Sequence, residues 1–413
     1  MIIKLFCGFR PKKEYVKNVT TPPYDVVSRD DVRKALSMNE LSFFKVTRAD
    51  GLFDDSFNEY DSIIYKKARE NWQWFLRKKI FILDNAPHFY VLSQKFNKKE
   101  RIGLYAIVSM EDYESGRIKK HELTREEKLI DRTKHIEVVK AQTGPVMLFF
   151  KDDRNFKGLI GSVLMEKPVF EFSDENGVLN KLWAVNRKDL ILNIEDFFKE
   201  IDFLYIADGH HRAEAAYNIF KNSKDKSFSN LNSWLLSVIF PHDQLLILSY
   251  NRIIKGVEHF LLDDFIDYIS KIFYVKQVKD LIPNRKGDIR FYCDGKCFSI
   301  RLRSKKNDDI AKNLDVNILH EFILKPYFNI HNPSQSDRIE YIGGFDSVEQ
   351  IKKKVDMGNA ITGFSLYPVD IEDIINISND NKIMPPKSTW FEPKLRDGIV
   401  VYSLENKNLL EKV

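Results

Sequence analysis

The residues of this chain best suited to chemistry form one run of five, Asp208-Gly209-His210-His211-Arg212. The run follows an apolar stretch, 203–207, and precedes an alanine-rich stretch, 213–218, which together predict a strand, a tight turn and a helix. A helix N-terminus binds anions because its backbone N–H groups are unpaired and carry a partial positive charge. Gly209 allows close backbone approach, and Arg212 can donate two parallel hydrogen bonds to phosphate oxygens. The run therefore predicts a phosphate site.

Asp208 has three possible tasks in this turn: to cap the helix, to position a substrate hydroxyl, or to hold a magnesium ion. A plainer interpretation makes Asp208-Gly209 a turn and a cap, with both histidines in solvent. The consecutive histidines and the arginine behind the turn favour the functional interpretation.

A second candidate is the pair His121-Glu122, which precedes a predicted helix. A carboxylate beside a histidine at the boundary of an element could act as a general base. Exposed His-Glu pairs are also common, so the pair taken alone favours a solvated surface over a catalytic base.

Further candidates for substrate or phosphate contacts lie on that helix and in the tail. Asp131 and Arg132 are candidates on the helix, where they also fit a solvent-facing pair. Lys387, Ser388 and Lys394 lie in the proline-rich tail, which equally fits a structural strap.

The composition is that of a folded protein, with 43% hydrophobic and 30% charged residues. The formal charge of +5, from 65 basic and 60 acidic residues, gives no broad positive field for binding nucleic acid, and no nucleic-acid partner is expected.

Cys7, Cys293 and Cys297 are too few for a disulfide scaffold. The last two are expected to be reduced thiols on a hairpin around Asp294-Gly295. The N-terminus does not resemble a signal peptide and no window resembles a membrane span, so the cytoplasm is the expected compartment and no membrane partner is expected.

The pattern of elements predicts an α/β (α+β) protein in three segments. Residues 1–85 hold a Pro-Pro-Tyr-Asp turn and a helix near 56–78, residues 86–254 a phosphate-binding core, and residues 255–413 an α+β portion with a Met-Pro-Pro-Lys-Ser-Thr strap. Within the core, 89–92, 103–108 and 146–150 are predicted strands, and 155–200 is predicted to alternate short strands and loops.

Three further local predictions concern the boundaries of elements. Thr124 and Glu127 form a capping-box pattern that predicts a helix to about Lys140. The runs 234–240 and 245–248 predict a hairpin, and 398–402 predicts a strand.

Four of these motifs, in this order, resemble a bacterial and archaeal family known as domain of unknown function 1015. They are Pro22-Pro-Tyr-Asp-Val26, His121-Glu122 with Asp131-Arg132, Asp208-Gly-His-His-Arg212, and Met384-Pro-Pro-Lys-Ser-Thr-Trp-Phe391. The resemblance covers nearly the full length. One departure is Gln142, at a position where the family usually has asparagine, which puts any hydrogen bond of that asparagine in doubt.

The resemblance implies a ParB/sulfiredoxin-like core, in a fold group that includes free L-serine kinases. Those kinases resemble this chain in an Asp-Gly-His-x-Arg phosphate motif and in an upstream His-Glu whose glutamate is the base. By this resemblance Glu122 takes the proton of a serine hydroxyl, and His210, His211 and Arg212 hold the phosphoryl group transferred from ATP or ADP. Asp208 would serve Mg²⁺ or substrate.

Three other functions remain to be compared with a kinase. A ParB-like nucleotide switch would leave Glu122 without a task and should show a helix-turn-helix and a basic face, neither of which is evident. Sulfiredoxin-like chemistry needs a cysteine where this chain has His210. A non-catalytic protein that binds a phosphorylated metabolite stays open, as does the oligomeric state. No P-loop motif or protein-kinase motif set is present.

Overall fold

The structure is a computed structural model, which describes residues 1–256, 259–304, 309–333 and 335–405. Its strands, in chain order, are β1 (Ile3–Lys4), β2 (Phe9–Pro11), β3 (Phe81–Leu83), β4 (Phe89–Phe96), β5 (Lys99–Ser109), β6 (Ile118–Lys119), β7 (Ala141–Gln142), β8 (Val146–Phe150), β9 (Phe170–Ser173), β10 (Leu179–Val185), β11 (Leu204–Asp208), β12 (Trp234–Pro241), β13 (Leu246–Leu248), β14 (Asn251–Ile254), β15 (Phe273–Val278), β16 (Ile289–Cys293), β17 (Lys296–Leu302), β18 (Ile339–Ile342), β19 (Thr362–Ser365), β20 (Trp390–Glu392) and β21 (Tyr402–Ser403).

The α-helices, in chain order, are α1 (Val16–Val19), α2 (Arg29–Met38), α3 (Phe44–Thr47), α4 (Ser62–Arg77), α5 (Met110–Glu114), α6 (Glu126–Val139), α7 (Phe156–Leu159), α8 (Gly161–Leu164), α9 (Lys188–Lys199), α10 (His210–Asn222), α11 (Leu262–Ser270), α12 (Asp315–Leu319), α13 (Ser347–Asp356) and α14 (Ile371–Asn379). Short 3₁₀ helices lie at Ala49–Leu52, Leu231–Ser233, His242–Gln244 and Ile310–Asn313, and a π-helix at His320–Leu324. The mixed α/β class is therefore confirmed.

The chain groups into two compact units. Unit 1 comprises Met1–Lys119, Thr124–Leu245 and the described residues from Pro393 to Glu405. Unit 2 comprises Lys120–Leu123 and Leu246–Glu392. The division into three segments at 85/86 and 254/255 stays a prediction from the sequence pattern.

Unit 1 is built on a sheet with the strand order β6-β11-β8-β12-β5-β4-β10-β9, and β1 pairs with β5. β11 runs parallel to β6 and β12 runs parallel to β8, whereas the other pairs are antiparallel. Both faces of the central strands are covered, and all five residues of β8 are buried. Continuous apolar runs such as Val146–Phe150 are typical of strands buried on both faces, because no face needs polar residues.

A second core of unit 1 forms around α4, whose buried face includes Trp72 and Phe75. Their rings pack at edge-on or tilted angles against Phe43 and Phe81, with centroids 5.1–6.1 Å apart. The predicted helix near 56–78 is therefore present, although it begins at Ser62, where Asp61 caps the N–H of Ile63.

Unit 2 contains an antiparallel sheet with the order β15-β17-β16-β19-β14-β18. β16 and β17 form the predicted hairpin, with Asp294 and Gly295 at φ of +48° and +72° in its turn. Cys293 and Cys297 are buried free cysteines, as expected.

The strand predictions at 89–92, 103–108 and 146–150 are confirmed, but others are wrong. β12 and β13 form no hairpin, since β12 lies between β5 and β8 while β13 pairs with β20. Residues 155–200 include α9, a 12-residue helix whose buried face holds Leu190, Ile194 and Phe198.

The capping box at Thr124 is also wrong: α6 begins at Glu126, after an N-cap residue, Arg125, that makes no side-chain capping bond. The predicted strand 398–402 is reduced to β21 at its end. Among the described residues, no helix combines the length and the apolar character needed to cross a membrane.

Candidate functional site

The run Asp208–Arg212 lies where β11 meets α10, as the sequence predicts. Residues 204–207 of β11 are buried, whereas Phe203 precedes the strand and is 40% exposed. The pairing of β11 with β8 shifts register between Ile206 and Asp208, an irregularity of the kind that redirects side chains next to functional sites. α10 begins at His210, so the two histidines and Arg212 form the first turn of the helix.

Gly209 makes the change from strand to helix possible. It is the N-cap residue of α10, and its φ of +97° lies in the left-handed region that favours glycine. A Cβ at this position would lie 3.4 Å from the Cα of Val146. Because glycine supplies no capping side chain, this helix N-terminus keeps its capacity to bind an anion through backbone N–H groups.

The side chain of Arg212, 13% exposed, is held from two sides. Nη1 donates to the carbonyl oxygen of Pro145 at 3.0 Å and lies 3.2 Å from Oδ1 of Asp397. Burial by itself lowers the pKa of the Arg212 guanidinium, but Asp397 and the other acidic groups around it, Asp25 and Asp208 among them, together outweigh burial, and the pKa lies above its ordinary value. A guanidinium has five N–H donors, so Arg212 can keep these contacts and still donate to an anion.

Tyr24, from the Pro-Pro-Tyr-Asp segment, lies between two arginines. Its ring centroid is 5.2 Å from Cζ of Arg212 and 4.0 Å from Cζ of Arg132. Arg132 pairs with Asp131 at 2.7 Å, and Asp131 also accepts a hydrogen bond from the hydroxyl of Tyr65 at 2.9 Å. Asp131 is 5% exposed and the Arg132 side chain 11%, so the interpretation of this pair as solvent-facing is wrong.

A cavity beside these groups measures about 20 Å³, room for about one water molecule. His135, which also lines it, has Nε2 2.8 Å from the carbonyl oxygen of Val46. Burial lowers the pKa of His135 to about 4, so the ring is neutral at neutral pH. The cavity is too small for a nucleotide.

The two histidines of the turn have different surroundings. His210 is buried. His211 is partly exposed, and its Nε2 accepts the backbone N–H of Arg125 at 3.0 Å. The proton of a neutral His211 ring is thus on Nδ1, and the ring tethers the start of α6 to the start of α10.

Asp208 is partly exposed, and its Oδ2 lies 3.5 Å from Nζ of Lys394. This contact brings one of the three tail candidates to the turn. A single carboxylate fits Mg²⁺ in a phosphate site, since such ions commonly bind one or two carboxylates together with phosphate oxygens.

The remaining candidates belong to unit 2. His121 is buried, its Nε2 lies 3.2 Å from Oγ1 of Thr389, and its carbonyl oxygen accepts the N–H of Met384. The His-Glu motif therefore meets the strap, residues 384–389, and Glu122 beside it is partly exposed.

Two other candidates lie in the strap itself. The hydroxyl of Ser388 donates to the carbonyl oxygen of Pro385 at 2.6 Å. Nζ of Lys387 lies 5.4 Å from the ring centroid of Tyr250. The resemblance implies that Glu122 lies near the Asp208–Arg212 turn, and this proximity stays a prediction.

Asp397 is the important residue that sequence reasoning missed. It is 1% exposed, and its approach to Arg212 explains Gly144, where a Cβ would lie 1.9 Å from Oδ1 of Asp397 and 2.7 Å from Nη1 of Arg212. The only local signal is an Asp-Gly pair, 397–398, near the end of the chain. Sequence alone does not tell such a pair from an ordinary turn.

Gln142, the departure from the family pattern, uses both ends of its amide. Nε2 donates to the carbonyl oxygen of Trp234 and Oε1 accepts the N–H of Leu236, both at 2.7 Å. The longer side chain thus links β7 to β12, and both the nitrogen and the oxygen of its buried amide make a hydrogen bond.

A sequence profile of the family described as "Protein of unknown function (DUF1015)" matches residues 3–317. A search of curated proteins gave no match. Among solved structures, a mutant free serine kinase in complex with AMP is similar at 14% identity over 73% of this chain and 92% of that chain, with a TM-score of 0.39. A conserved hypothetical protein from Pyrococcus furiosus has 14% identity over 73% of this chain and 96% of that chain, with a TM-score of 0.37. SbnI from Staphylococcus aureus, truncated at its C-terminus, has 10% identity over 74% of this chain and 91% of that chain, with a TM-score of 0.36.

Proposed function

The chain belongs to the DUF1015 family, whose proteins are of unknown function, and we propose that this member is a small-molecule kinase. It would transfer a phosphoryl group from ATP or ADP to a free hydroxyl metabolite, L-serine giving O-phosphoserine. The observation that carries the proposal is the first turn of α10. There a left-handed glycine without a capping side chain, two histidines and a fixed arginine stand at a helix N-terminus.

The chemistry of phosphoryl transfer suits such a turn. The reaction needs positioning and charge neutralisation more than covalent catalysis, and a helix N-terminus supplies both to phosphate oxygens. In the proposal Gly209 and His210 lie against the phosphates, and Arg212 donates to them from the geometry that Asp397 and Tyr24 fix. The ParB/sulfiredoxin-like core belongs to the same proposal and rests on the motif resemblance.

Glu122 is the proposed general base, with His121 beside it. It takes the proton from the acceptor hydroxyl as the hydroxyl oxygen forms its bond to phosphorus and the bond to the nucleotide leaving group breaks. A base must come within about 2.6–3.2 Å of that hydroxyl, or one water away, once substrate is bound. Glu122 is therefore expected within about 10 Å of the turn, allowing for a substrate between them.

The other candidates receive supporting roles. Asp131 and Arg132 are proposed to position Arg212 through Tyr24 rather than to touch the nucleotide, since both are buried behind that ring. Lys387 and Ser388 stay candidates for substrate contacts. Mg²⁺, held by Asp208, would neutralise charge on the phosphates.

The test is direct. Purified protein is incubated with Mg²⁺, ATP or ADP and a panel of free hydroxyl metabolites including L-serine, and ³¹P NMR detects new phosphate esters. Glu122→Gln should lower turnover on the order of 10²–10⁴-fold while nucleotide binding persists. Glu127→Gln, a neighbouring exposed carboxylate, is the matched control and should turn over normally.

Two outcomes would contradict the proposal. Nucleotide binding without any phosphate ester would favour a ParB-like switch or a non-catalytic binding protein. Normal turnover by Glu122→Gln would leave a kinase with a different base.

A further inference from the structure

Unit 2 contains an arginine whose charge is not balanced by any carboxylate of the described residues. Arg252, on β14, is 2% exposed. Its donors go to backbone carbonyl oxygens: Nη1 to Tyr250, and Nη2 to Lys387 at 3.0 Å and Pro386 at 3.5 Å. Among the described residues, no Asp or Glu pairs with it, and burial lowers its pKa to about 10. Arg252 thus stays charged at neutral pH in a site that offers dipoles but no counter-charge.

Arg252 lines a cavity of about 230 Å³ formed by unit 2 alone. This volume lies below the roughly 300–1,000 Å³ of pockets that take drug-sized ligands, so it suits a small metabolite. Its apolar wall includes Val316, Leu324, Pro385 and Pro386, the last two from the strap.

The cavity lining also includes His320, one of whose ring nitrogens makes no hydrogen bond to the described residues. His320 has Nδ1 3.3 Å from the carboxylate of Glu321, which is about half exposed. Nε2 of His320 is buried and has no hydrogen-bond partner among the described residues. With the proton on Nδ1, towards Glu321, Nε2 of a neutral ring is an acceptor.

The backbone at His320 is unusual as well. His320 begins the π-helix His320–Leu324, which follows α12 directly, and its carbonyl oxygen accepts the N–H of Lys325 at 2.9 Å. π-Turns are rare in proteins, and many of those that occur lie at functional sites. Here the π-turn includes both His320 and Leu324 of the cavity wall.

We propose that this cavity is a binding site for a small hydroxycarboxylate. The carboxylate of the ligand supplies the counter-charge of Arg252 with a charge-assisted hydrogen bond, its hydroxyl donates to Nε2 of His320, and its short carbon chain lies against the apolar wall. The site is independent of the proposed kinase activity, because it uses neither Glu122 nor the Asp208–Arg212 turn.

Arg252 also has a structural task, since it ties β14 to the strap through the carbonyl oxygens of Pro386 and Lys387. That task explains its hydrogen bonds but not its charge, because an uncharged donor would serve the carbonyls without the cost of burying a cation. It also leaves Nε2 of His320 and the cavity unexplained.

The experiment is isothermal titration calorimetry of the full chain at constant ionic strength, without nucleotide or Mg²⁺. The probes are sodium glycolate and sodium L-lactate, sodium propionate (lactate without its hydroxyl), and lactamide (lactate without its charge). L-lactate is expected to bind, propionate about 3-fold to 10-fold more weakly through loss of one neutral hydrogen bond, and lactamide at least 10-fold more weakly.

Variants separate the two contacts. Arg252→Lys keeps the charge but loses the planar donor pair, and should weaken L-lactate binding about 10-fold. His320→Leu should make L-lactate and propionate bind equally. Arg303→Lys is the matched control in the same unit, because this exposed arginine also donates to a backbone carbonyl and lies 4.3 Å from the ring centroid of Tyr274. It should bind L-lactate as the wild type does.

The proposal is overturned if neither hydroxycarboxylate binds, if lactamide binds as well as L-lactate, or if Arg252→Lys binds L-lactate normally. If Arg252→Lys does not fold, two other measurements test the proposal. The wild type must bind L-lactate more tightly than propionate, and His320→Leu must lose that preference. Because no nucleotide is present, failure here leaves the kinase proposal untouched.

Discussion

Two buried arginines, Arg212 in unit 1 and Arg252 in unit 2, have similar surroundings but differ in their acidic partner and in the volume of the cavity beside them. Each lies over a tyrosine ring, at 5.2 Å for Arg212 on Tyr24 and 5.4 Å for Arg252 on Tyr341, and each donates to backbone carbonyls. Arg212 also has the buried carboxylate of Asp397, and the cavity beside it holds about 20 Å³. Arg252 has no carboxylate among the described residues, and its cavity holds about 230 Å³.

The presence or absence of an acidic partner gives the two arginines different roles. Arg212 helps to shape the candidate phosphate site, whereas Arg252 is the proposed binding residue for an anionic ligand. A buried cation needs a counter-charge, because water no longer solvates it. At Arg212 the fold supplies that charge through Asp397, so the cavity beside the arginine can be small and the first turn of α10 is held rigidly. At Arg252 the cavity is larger, and in our proposal a bound ligand supplies the counter-charge.

The largest effect expected from this comparison concerns stability. Arg212→Met should lower the free energy of unfolding by about 3–5 kcal/mol, because Asp397 is left buried without its partner. Arg252→Met should lower it by only about 1–3 kcal/mol, because only carbonyl oxygens lose a donor. Urea denaturation in a buffer free of small carboxylates measures both.

A double variant is the control for that prediction. Arg212→Met combined with Asp397→Leu should recover most of the loss, since no buried charge is left behind. If Arg252→Met proves as destabilising as Arg212→Met, Arg252 has a counter-charge of its own and the comparison fails.

A second prediction concerns how the stability of the region around Arg212 depends on pH. The pKa of His135, beside Arg212, is about 4 in the folded chain and about 6.5 when unfolded, so between these values the unfolded chain binds the additional proton. His135 therefore contributes stability in full above pH 6.5, and up to roughly 3 kcal/mol of it is lost as the pH falls to 4. His135→Gln should flatten the stability profile over this window relative to the wild type, whereas replacing the exposed His331 by Gln should not. A profile for His135→Gln identical to that of the wild type would show that His135 is not buried neutral.

The smallest effect tests whether the turn beside Arg212 still receives a ligand. Gly209→Ala and Gly116→Ala both place a side chain at positive φ, +97° and +76°, and each should cost about 1–2 kcal/mol. A Cβ at Gly116 meets nothing within 4 Å, whereas a Cβ at Gly209 lies against Val146 in the proposed phosphate site. Calorimetric titration with ATP should show weaker binding for Gly209→Ala alone. Equal affinities for the two variants would remove this turn from the nucleotide site.

Local pattern was enough to locate the strand, glycine and helix of the candidate site. A continuous apolar run, a glycine and an alanine-rich stretch each act within a few residues, so β11, Gly209 and α10 could be predicted. The hairpin of β16 and β17 followed from Asp294-Gly295 in the same way. The pairing of β12 and β13 could not be predicted, because both partners of β12 and the partner of β13 lie far away in the chain.

The sequence by itself therefore determined which residues stand at the helix N-terminus, since a turn and a helix cap depend on neighbours. Only the tertiary structure decided that Arg212 is paired with Asp397, 185 residues away, and that Arg252 is not paired with a carboxylate among the described residues. Both outcomes depend on where distant strands and loops bring charge together. Burial gives the presence or absence of one carboxylate a large effect on stability. An unpaired charge is well solvated in water, but in the protein interior it is costly in free energy.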